Sequence, residues 1–376
     1  MNESRSAGDS RPCGLGVLMA AAIAAGASLA GCGGSGNSAS TQDQWVVEVP
    51  STVASAENPA IWFLDRTDDH LLVAYDWEGA QVGSIRFSSP QPLGALQSPD
   101  GTALVTSARP ASGATAIGRA DINVTWARDS SHLCSFRQPS GADFVAQSST
   151  FEPGALFIDD PATGGSRRVL RFGNYGPMSD PAALSCSIPD DRAVVGESFV
   201  GETNSLQVVT LSSGASTAFS PQPPPPAEGP QGAIASADGT LVAEGSINGT
   251  GPSTNTNQFT VYDSSTGGAL ATVPNDIVTF SDDDSRVLTV QEFNSTNQGG
   301  IYRLVDWSTG AVLWSDHLAL GSFLTRPDSG DVVVEPTTFR GSVPGSPGTL
   351  EPYTTPIIVR AAGTTLQLPE ARPLGG

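Results

Sequence analysis

After residue 43 the chain reads as short apolar runs separated by polar turns. Ser98-Pro99-Asp100-Gly101 leads into Ala103-Leu104-Val105, and Ser236-Ala237-Asp238-Gly239 into Leu241-Val242-Ala243. Ser281-Asp282-Asp283-Asp284 leads into Val287-Leu288, and Arg326-Pro327-Asp328-Ser329 into Val332-Val333-Val334. Weaker copies centre on Asp68, Asp129 and Asp190. Each predicts a tight turn between two short strands, because Asp bonds its own backbone and Gly accepts positive φ. A second pattern interleaves with the first: Val261-Tyr262-Asp263 runs into Thr266-Gly267, and Leu304-Val305-Asp306 into Thr309-Gly310. Looser versions are Ile158-Asp159 with Thr163-Gly164, Leu211 with Ser213-Gly214, and Asp76 with Gly79. No long helical periodicity appears after residue 31, while short β-branched runs bounded by Gly, Asn and Asp recur.

The two patterns give the order strand, Asp turn, strand, loop, strand, Thr-Gly turn, strand. That is a four-stranded antiparallel meander, the blade of a β-propeller. Asp190, Asp238, Asp283 and Asp328 stand 48, 45 and 45 residues apart, within the roughly 40–50 residues of one blade. The upstream intervals from Asp68 are irregular. The fold class is therefore all-β, a β-propeller of about seven four-stranded blades, with six or eight left open. Residues 44–49 form an extra strand ahead of the first blade, expected to pair with the last blade and close the ring.

The Ser-Pro-Asp-Gly turns resemble those of WD-repeat-like and Tol-type bacterial propellers. Asp306-Trp307-Ser308-Thr309-Gly310-Ala311-Val312-Leu313-Trp314 resembles the tryptophan-docking repeat of quinoprotein propellers, in sharp form only over about 230–335. In that family the docking residues pack neighbouring blades together, so the resemblance implies blade packing for Trp307 and Trp314 rather than contact with a cofactor.

The N-terminus is an address. An apolar stretch over residues 15–29 ends in Leu29-Ala30-Gly31-Cys32. It is short of the roughly 20 strongly apolar residues of a membrane-spanning helix. The ending resembles the bacterial lipobox, in which the Cys receives a diacylglycerol and becomes the new N-terminus. This divides the chain into a signal peptide (1–31), a lipidated Cys32 with a flexible Gly/Ser tether (32–43) and the propeller (44–376). Gly33 stands where the lipoprotein sorting rule places an inner-membrane Asp, which implies the outer membrane. Cys134 and Cys186 remain, and an oxidising envelope compartment favours a disulfide between them over two buried thiols.

Composition sharpens this picture. The chain has 376 residues and a formal charge of −20, with 18 basic residues that are all Arg. A nucleic-acid partner is excluded, because phosphate binding needs a basic face. The 42 Gly and 29 Pro fit a turn-rich fold rather than a helical one.

Strand order places the long connections, about 246–257, 292–299, 337–354 and the Pro-rich 221–230, together on the face opposite the tight turns. Loops beyond about 12 residues usually carry function or disorder, so this is the candidate binding face. Phe293, Phe339, Arg340 and Tyr353 are its hot-spot residue types; tolerated insertions are the competing reading.

Catalytic signatures are absent. His70, His132 and His317 read as surface residues without zinc-ligand spacing. No Gly-x-Ser-x-Gly elbow or phosphate loop occurs. Asp282-Asp283-Asp284, Asp190-Asp191 and Asp159-Asp160 do not follow a calcium-loop pattern and read as solvated turn carboxylates. No catalytic residue, metal or cofactor is assigned. The favoured function is a lipid-anchored, noncatalytic binding or scaffold module in the cell envelope, held to the membrane through Cys32, for a protein, peptide or glycan. The alternatives are a propeller enzyme, either a quinone-dependent dehydrogenase or a hydrolase or lyase at the central funnel, and a structural surface lipoprotein without a specific ligand.

Overall fold

A computed structural model describes residues 44–372 apart from 66, 69, 88–95, 107–115, 121–123, 138–154, 164, 172–178, 200–204, 224–230, 247–257, 295–298, 320, 341–348, 353–354 and 370. Every element in it is a strand. β1 (Gln44–Glu48) comes first, then β2 (Ala60–Asp65), β3 (Leu71–Asp76) and β4 (Gln81–Arg86) of blade 1. Blade 2 holds β5 (Leu96–Gln97), β6 (Ala103–Thr106) and β7 (Ala116–Ala120). Blade 3 holds β8 (Val124–Trp126), β9 (Leu133–Arg137), β10 (Ala155–Asp160) and β11 (Gly165–Arg171). Blade 4 holds β12 (Ser179–Ser187), β13 (Arg192–Phe199), β14 (Ser205–Thr210) and β15 (Ala215–Ala218). Blade 5 holds β16 (Gln231–Ala235), β17 (Leu241–Ser246), β18 (Gln258–Asp263) and β19 (Ala269–Pro274). Blade 6 holds β20 (Asp276–Phe280), β21 (Val287–Asn294), β22 (Gly299–Asp306) and β23 (Ala311–Ala319). Blade 7 holds β24 (Gly321–Thr325), β25 (Val332–Arg340), β26 (Thr349–Pro352), β27 (Ile357–Val359) and β28 (Thr365–Gln367), and β29 (Ala371–Arg372) ends the described chain. Six sheets have four strands; the seventh gains β26, paired with the far end of β25.

The first strands of neighbouring blades lie beside one another around the centre, as β12 does with β8 and β16. Apolar side chains fill each gap between blades. Trp62 and Leu72 of blade 1 pack with Leu104 of blade 2, and Trp126 and Leu133 of blade 3 pack with Leu96 of blade 2. Phe136 and Ile158 meet Val195 and Val209 between blades 3 and 4, and Val194 and Leu206 meet Val242 between blades 4 and 5. Phe259 and Val261 meet Phe280 and Val287, and Leu288 and Tyr302 meet Val332 and Val359. Ile61 and Phe63 of blade 1 meet Val333 and Ile358 of blade 7, which completes the ring. At about 25 cal/mol per Å² of apolar surface removed from water, these gaps supply the main attraction between blades.

Two findings correct the reading of the N-terminal half. Residues 44–49 do not pair with the last blade. β1 lies inside blade 2, antiparallel to β6 on one side (Trp45 opposite Thr106) and to β7 on the other (Val47 opposite Ala116). It is the third strand of that blade, so fewer residues are needed between Asp100 and Asp129, which explains their close spacing. The ring is closed instead by β29, which pairs with β2 as the inner strand of blade 1. Asp68 therefore lies between the second and third strands of its blade, not in a first turn. Blade 1 has no continuous first turn, because its inner strand β29 and second strand β2 come from distant parts of the sequence.

Cys134 on β9 and Cys186 on β12 are joined, with Cα atoms 6.4 Å apart, inside the cluster between blades 3 and 4. The bond spans 52 residues of sequence. Closing a loop of that length restricts the unfolded chain by about 4 kcal/mol. A Cys134→Ser/Cys186→Ser variant is expected to lose about that much stability in denaturant titration, and the unreduced protein to resist alkylation at both positions.

Candidate functional site

The first turns share one construction. Ser98 Oγ donates to Asp100 Oδ1 at 2.9 Å and accepts from the N–H of Ala103 at 2.9 Å. Ser236 does the same with Asp238 and Leu241, and Ser281 with Asp283 and Arg286. The Asp carboxylate also takes the N–H two residues on, as Asp238 does from Thr240 at 2.7 Å. In five of these turns the fourth residue adopts positive φ (Gly101, Ser130, Asp191, Gly239 and Asp284), whereas in blade 7 the third, Asp328, does so. At Gly101 a Cβ would collide with the carbonyl oxygen of Ala60, so the neighbouring blade enforces glycine. The second turns are anchored by Asp as well. Asp263 Oδ1 accepts from Ser265 and Thr266, backbone and hydroxyl, and these hydrogen bonds pull its carboxyl down to about 2.

In the turns of blades 2, 5 and 6 the first-position hydroxyl and the third-position carboxylate are committed to the turn, and the second position is free to vary. It is held by Pro99, Arg128, Pro189, Ala237, Asp282 and Pro327 in turn. The turns ring the centre, and the two charged residues in this series meet there. Arg128 of blade 3 reaches Asp190 of blade 4 at 3.3 Å, Asp328 of blade 7 at 3.0 Å, and both the carbonyl (3.2 Å) and carboxylate (3.5 Å) of Asp282 in blade 6. Asp282 is buried and also accepts the N–H of Asp328 at 2.6 Å. Arg128 is held from behind, its N–H donating to the carbonyl of Cys186 at 2.9 Å.

Electrostatics follow from this packing. Burial works against the charge of Arg128, but Asp282, Asp328, Asp190 and Asp284 outweigh it and raise its pKa. Burial raises Asp282, with repulsion from Asp328 adding to it, against the Asp328 N–H and Arg128. Asp284 is pushed up to about 8, first by burial and then by a hydrogen bond and repulsion from Asp238. For Asp238 burial is opposed and outweighed by bonds from Thr240, Ser236 and Asp284, so it titrates low. At neutral pH Asp284 therefore holds its proton while the neighbouring Asp238 is ionised. Chemically the assembly is a bolt across the turn-face end of the central opening, with one guanidinium answering carboxylates from three other blades. No group of three His, Cys, Asp or Glu among the described residues is arranged to hold a metal ion.

The expected solvated carboxylates are corrected in part. Asp283 is exposed, but Asp282 and Asp159 are buried. Asp282 points at the crowded centre, and Asp159 accepts from Ser135 Oγ at 2.6 Å. His132 is bonded to Asp129 at 2.6 Å and His70 to the carbonyl of Phe87 at 3.2 Å, while His317 is exposed. Trp307 packs on the cluster between blades 5 and 6, and Trp314 on that between blades 6 and 7.

Phe293 lies near the end of β21, and Phe339 and Arg340 at the end of β25, in adjacent blades and at the loop-face end of equivalent second strands. Tyr353 and Cys32 lie outside the described residues. The start of the Pro-rich 221–230 segment departs from expectation: Gln222 pairs with Gly268, in the second turn of blade 5. Sequence reasoning missed Arg128 as a site residue. The readable signal was its place in the repeat, the one basic residue at a position otherwise Pro, Ala or Asp. It also missed Glu244 on β17, buried between blades 4 and 5, whose carboxyl desolvation lifts to about 7.

The architecture defines an all-β propeller of four-stranded blades. No protein-family model and no curated protein matches the chain. Solved structures that resemble it include Kuenenia stuttgartiensis hydrazine synthase, at 13% identity and TM-score 0.42 over 65% of each chain. TolB from Acinetobacter baumannii is 15% identical at TM-score 0.39, over 88% of this chain and 64% of its own. An oligogalacturonate lyase from Vibrio parahaemolyticus is 11% identical at TM-score 0.45, over 78% and 94%. The chain thus spans just under two thirds of the hydrazine synthase and TolB chains.

Two outcomes are expected of the bolt. Arg128→Ala leaves Asp282 buried without its cation and should cost about 3 kcal/mol of unfolding free energy, recovered in part by Arg128→Met/Asp282→Asn. Asp284 stays protonated in the fold up to about 8, whereas an unfolded Asp ionises near 3.8. Its stabilising contribution is complete below the lower value and lost as pH rises through the upper one. Thermal melts of the native chain should therefore fall across that window, and Asp284→Asn should flatten the fall by roughly 2 °C or more.

Proposed function

We propose that this chain is a lipid-anchored cell-envelope propeller, carried on the outer membrane through Cys32, that acts as a noncatalytic binding or scaffold module for a protein, peptide or glycan. The observation that carries the reading is the division of labour between the two faces. The turn face is spent on the Arg128 bolt and on tight hydroxyl–carboxylate turns. The loop face collects the ends of the long second strands β21 and β25, where Phe293, Phe339 and Arg340 sit in neighbouring blades. Aromatic and Arg residues dominate the energetics of binding surfaces, and propellers offer such a surface without altering their core.

In-cell crosslinking followed by capture of the lipidated protein tests this. A defined partner should be recovered with the native chain and lost, by tenfold or more, with Phe293→Ala/Phe339→Ala/Arg340→Ala, while melting is unchanged. Equal capture by the triple variant would remove the loop face from the proposal, and loss with Cys32→Ala would show that anchoring is needed for the encounter.

A further inference from the structure

The outer strand of blade 3 departs from the acidic character of the chain. β11 places Arg167, Arg168 and Arg171 within five residues, in a protein of net charge −20 whose 18 basic residues are all Arg. Alternation along a strand would send Arg168 and Arg171 to opposite sides. A bulge prevents this. Phe157 pairs with Arg168 and Leu156 with Leu170, leaving Val169 as the extra residue. Val169 and Leu170 both pack into the cluster between blades 3 and 4, so Arg168 and Arg171 both emerge on the side turned toward blade 2. Arg167 goes the other way and donates to the carbonyl of Leu211 at 2.9 Å.

The register extends the row. Ala155 of β10 pairs with Arg171 on one side and with Arg137 of β9 on the other. Arg137 thus holds the same cross-strand row as Arg171, at the loop-face end of the blade. Arg168 and Arg171 are exposed, and among the described residues neither has an ion pair. Three other guanidinium groups, by contrast, are answered by carboxylates: Arg86 by Asp68, Arg286 by Asp306, Arg360 by Asp331.

The place of this row matters. β1 enters blade 2 at Gln44, which pairs with Ala120 at the far end of β7 from the first turn. β1 therefore begins at the loop face of blade 2, on the side of the ring where blade 3 carries its arginine row. Residues 32–43 span up to about 40 Å when extended. An acyl anchor at Cys32 keeps this rim within reach of the bilayer surface.

We propose that the rim of blade 3 on its blade 2 side, through Arg168 and Arg171, docks on the phosphates of anionic lipid headgroups beside the anchor. This rests on the lipid-anchor reading above. Guanidinium groups match phosphate oxygens in a planar fork, and the attraction is confined to about a Debye length of the surface. The rest of the molecule, strongly acidic, is repelled by the same surface. The two forces together set one orientation, with blades 2 and 3 toward the lipid and blades 5, 6 and 7 away from it.

The test uses the lipidated full chain on phosphatidylglycerol-containing vesicles and on pure phosphatidylcholine vesicles. Intact mass and flotation report the anchor; hydrogen exchange over residues 165–171 reports the docking. Exchange there should slow roughly tenfold on the anionic vesicles alone, and the slowing should vanish in Arg168→Glu/Arg171→Glu while exchange in β21 and β22 stays unchanged. Flotation with equal exchange on both vesicles, or slowing that survives the charge reversal, overturns the docking and leaves the anchor standing. A chain without diacylglycerol at Cys32 that fails to float overturns both.

Discussion

Every blade of this molecule must present an apolar surface on both of its sides, because each side is covered by a neighbour. That single requirement governs the rest. It makes strands such as Ala60–Asp65 and Leu71–Asp76 nearly continuous in buried residues rather than alternating. It also means that the first and last blades depend on each other, since an open ring would expose Ile61, Phe63 and Val333 to water. The contacts between blades 7 and 1 show how polar groups reinforce that seam. Arg360 bridges Asp331 and the carbonyl of Trp77, and Arg326 lies over the Trp77 ring at 5.8 Å. Polar and apolar contacts therefore converge at the seam where the last blade meets the first.

The same requirement decides what was legible beforehand. Blades 4 to 7 are each made by consecutive strands, so their turns recur at a nearly constant interval and the fold class could be read from Asp190, Asp238, Asp283 and Asp328. Blades 1 and 2 borrow strands from the two ends of the chain. Their spacing is irregular for that reason, and no local pattern says that residues 44–48 belong between β6 and β7. Pairing partners far apart in sequence are set by which apolar sides fit, and that information is spread over many residues.

The site was legible to a different degree. The turn carboxylates were visible as a repeat, and their role in shaping the backbone follows from residue type. What separates Asp283, which serves its own turn, from Asp282, which serves the centre, is direction alone. A one-residue step in a tight turn changes the side chain from solvent-facing to inward-facing. Arg128 and Asp282 occupy the same step in blades on opposite sides of the ring, and only closing the ring brings them together. Charge patterns that depend on closure are invisible until the number and order of blades are known.

The position of β1 carries a mechanical consequence. It is hydrogen-bonded along both edges, to β6 and to β7, and it runs antiparallel to each. A force applied to the segment ahead of Gln44 pulls along the strand axis, so it loads both ladders in shear and engages all their hydrogen bonds together instead of peeling them one by one. A strand at the rim of a blade would unzip under such a load. Set into the middle of blade 2, the same five residues act as a grip, and the pull is passed through the sheet into the packed gaps on either side.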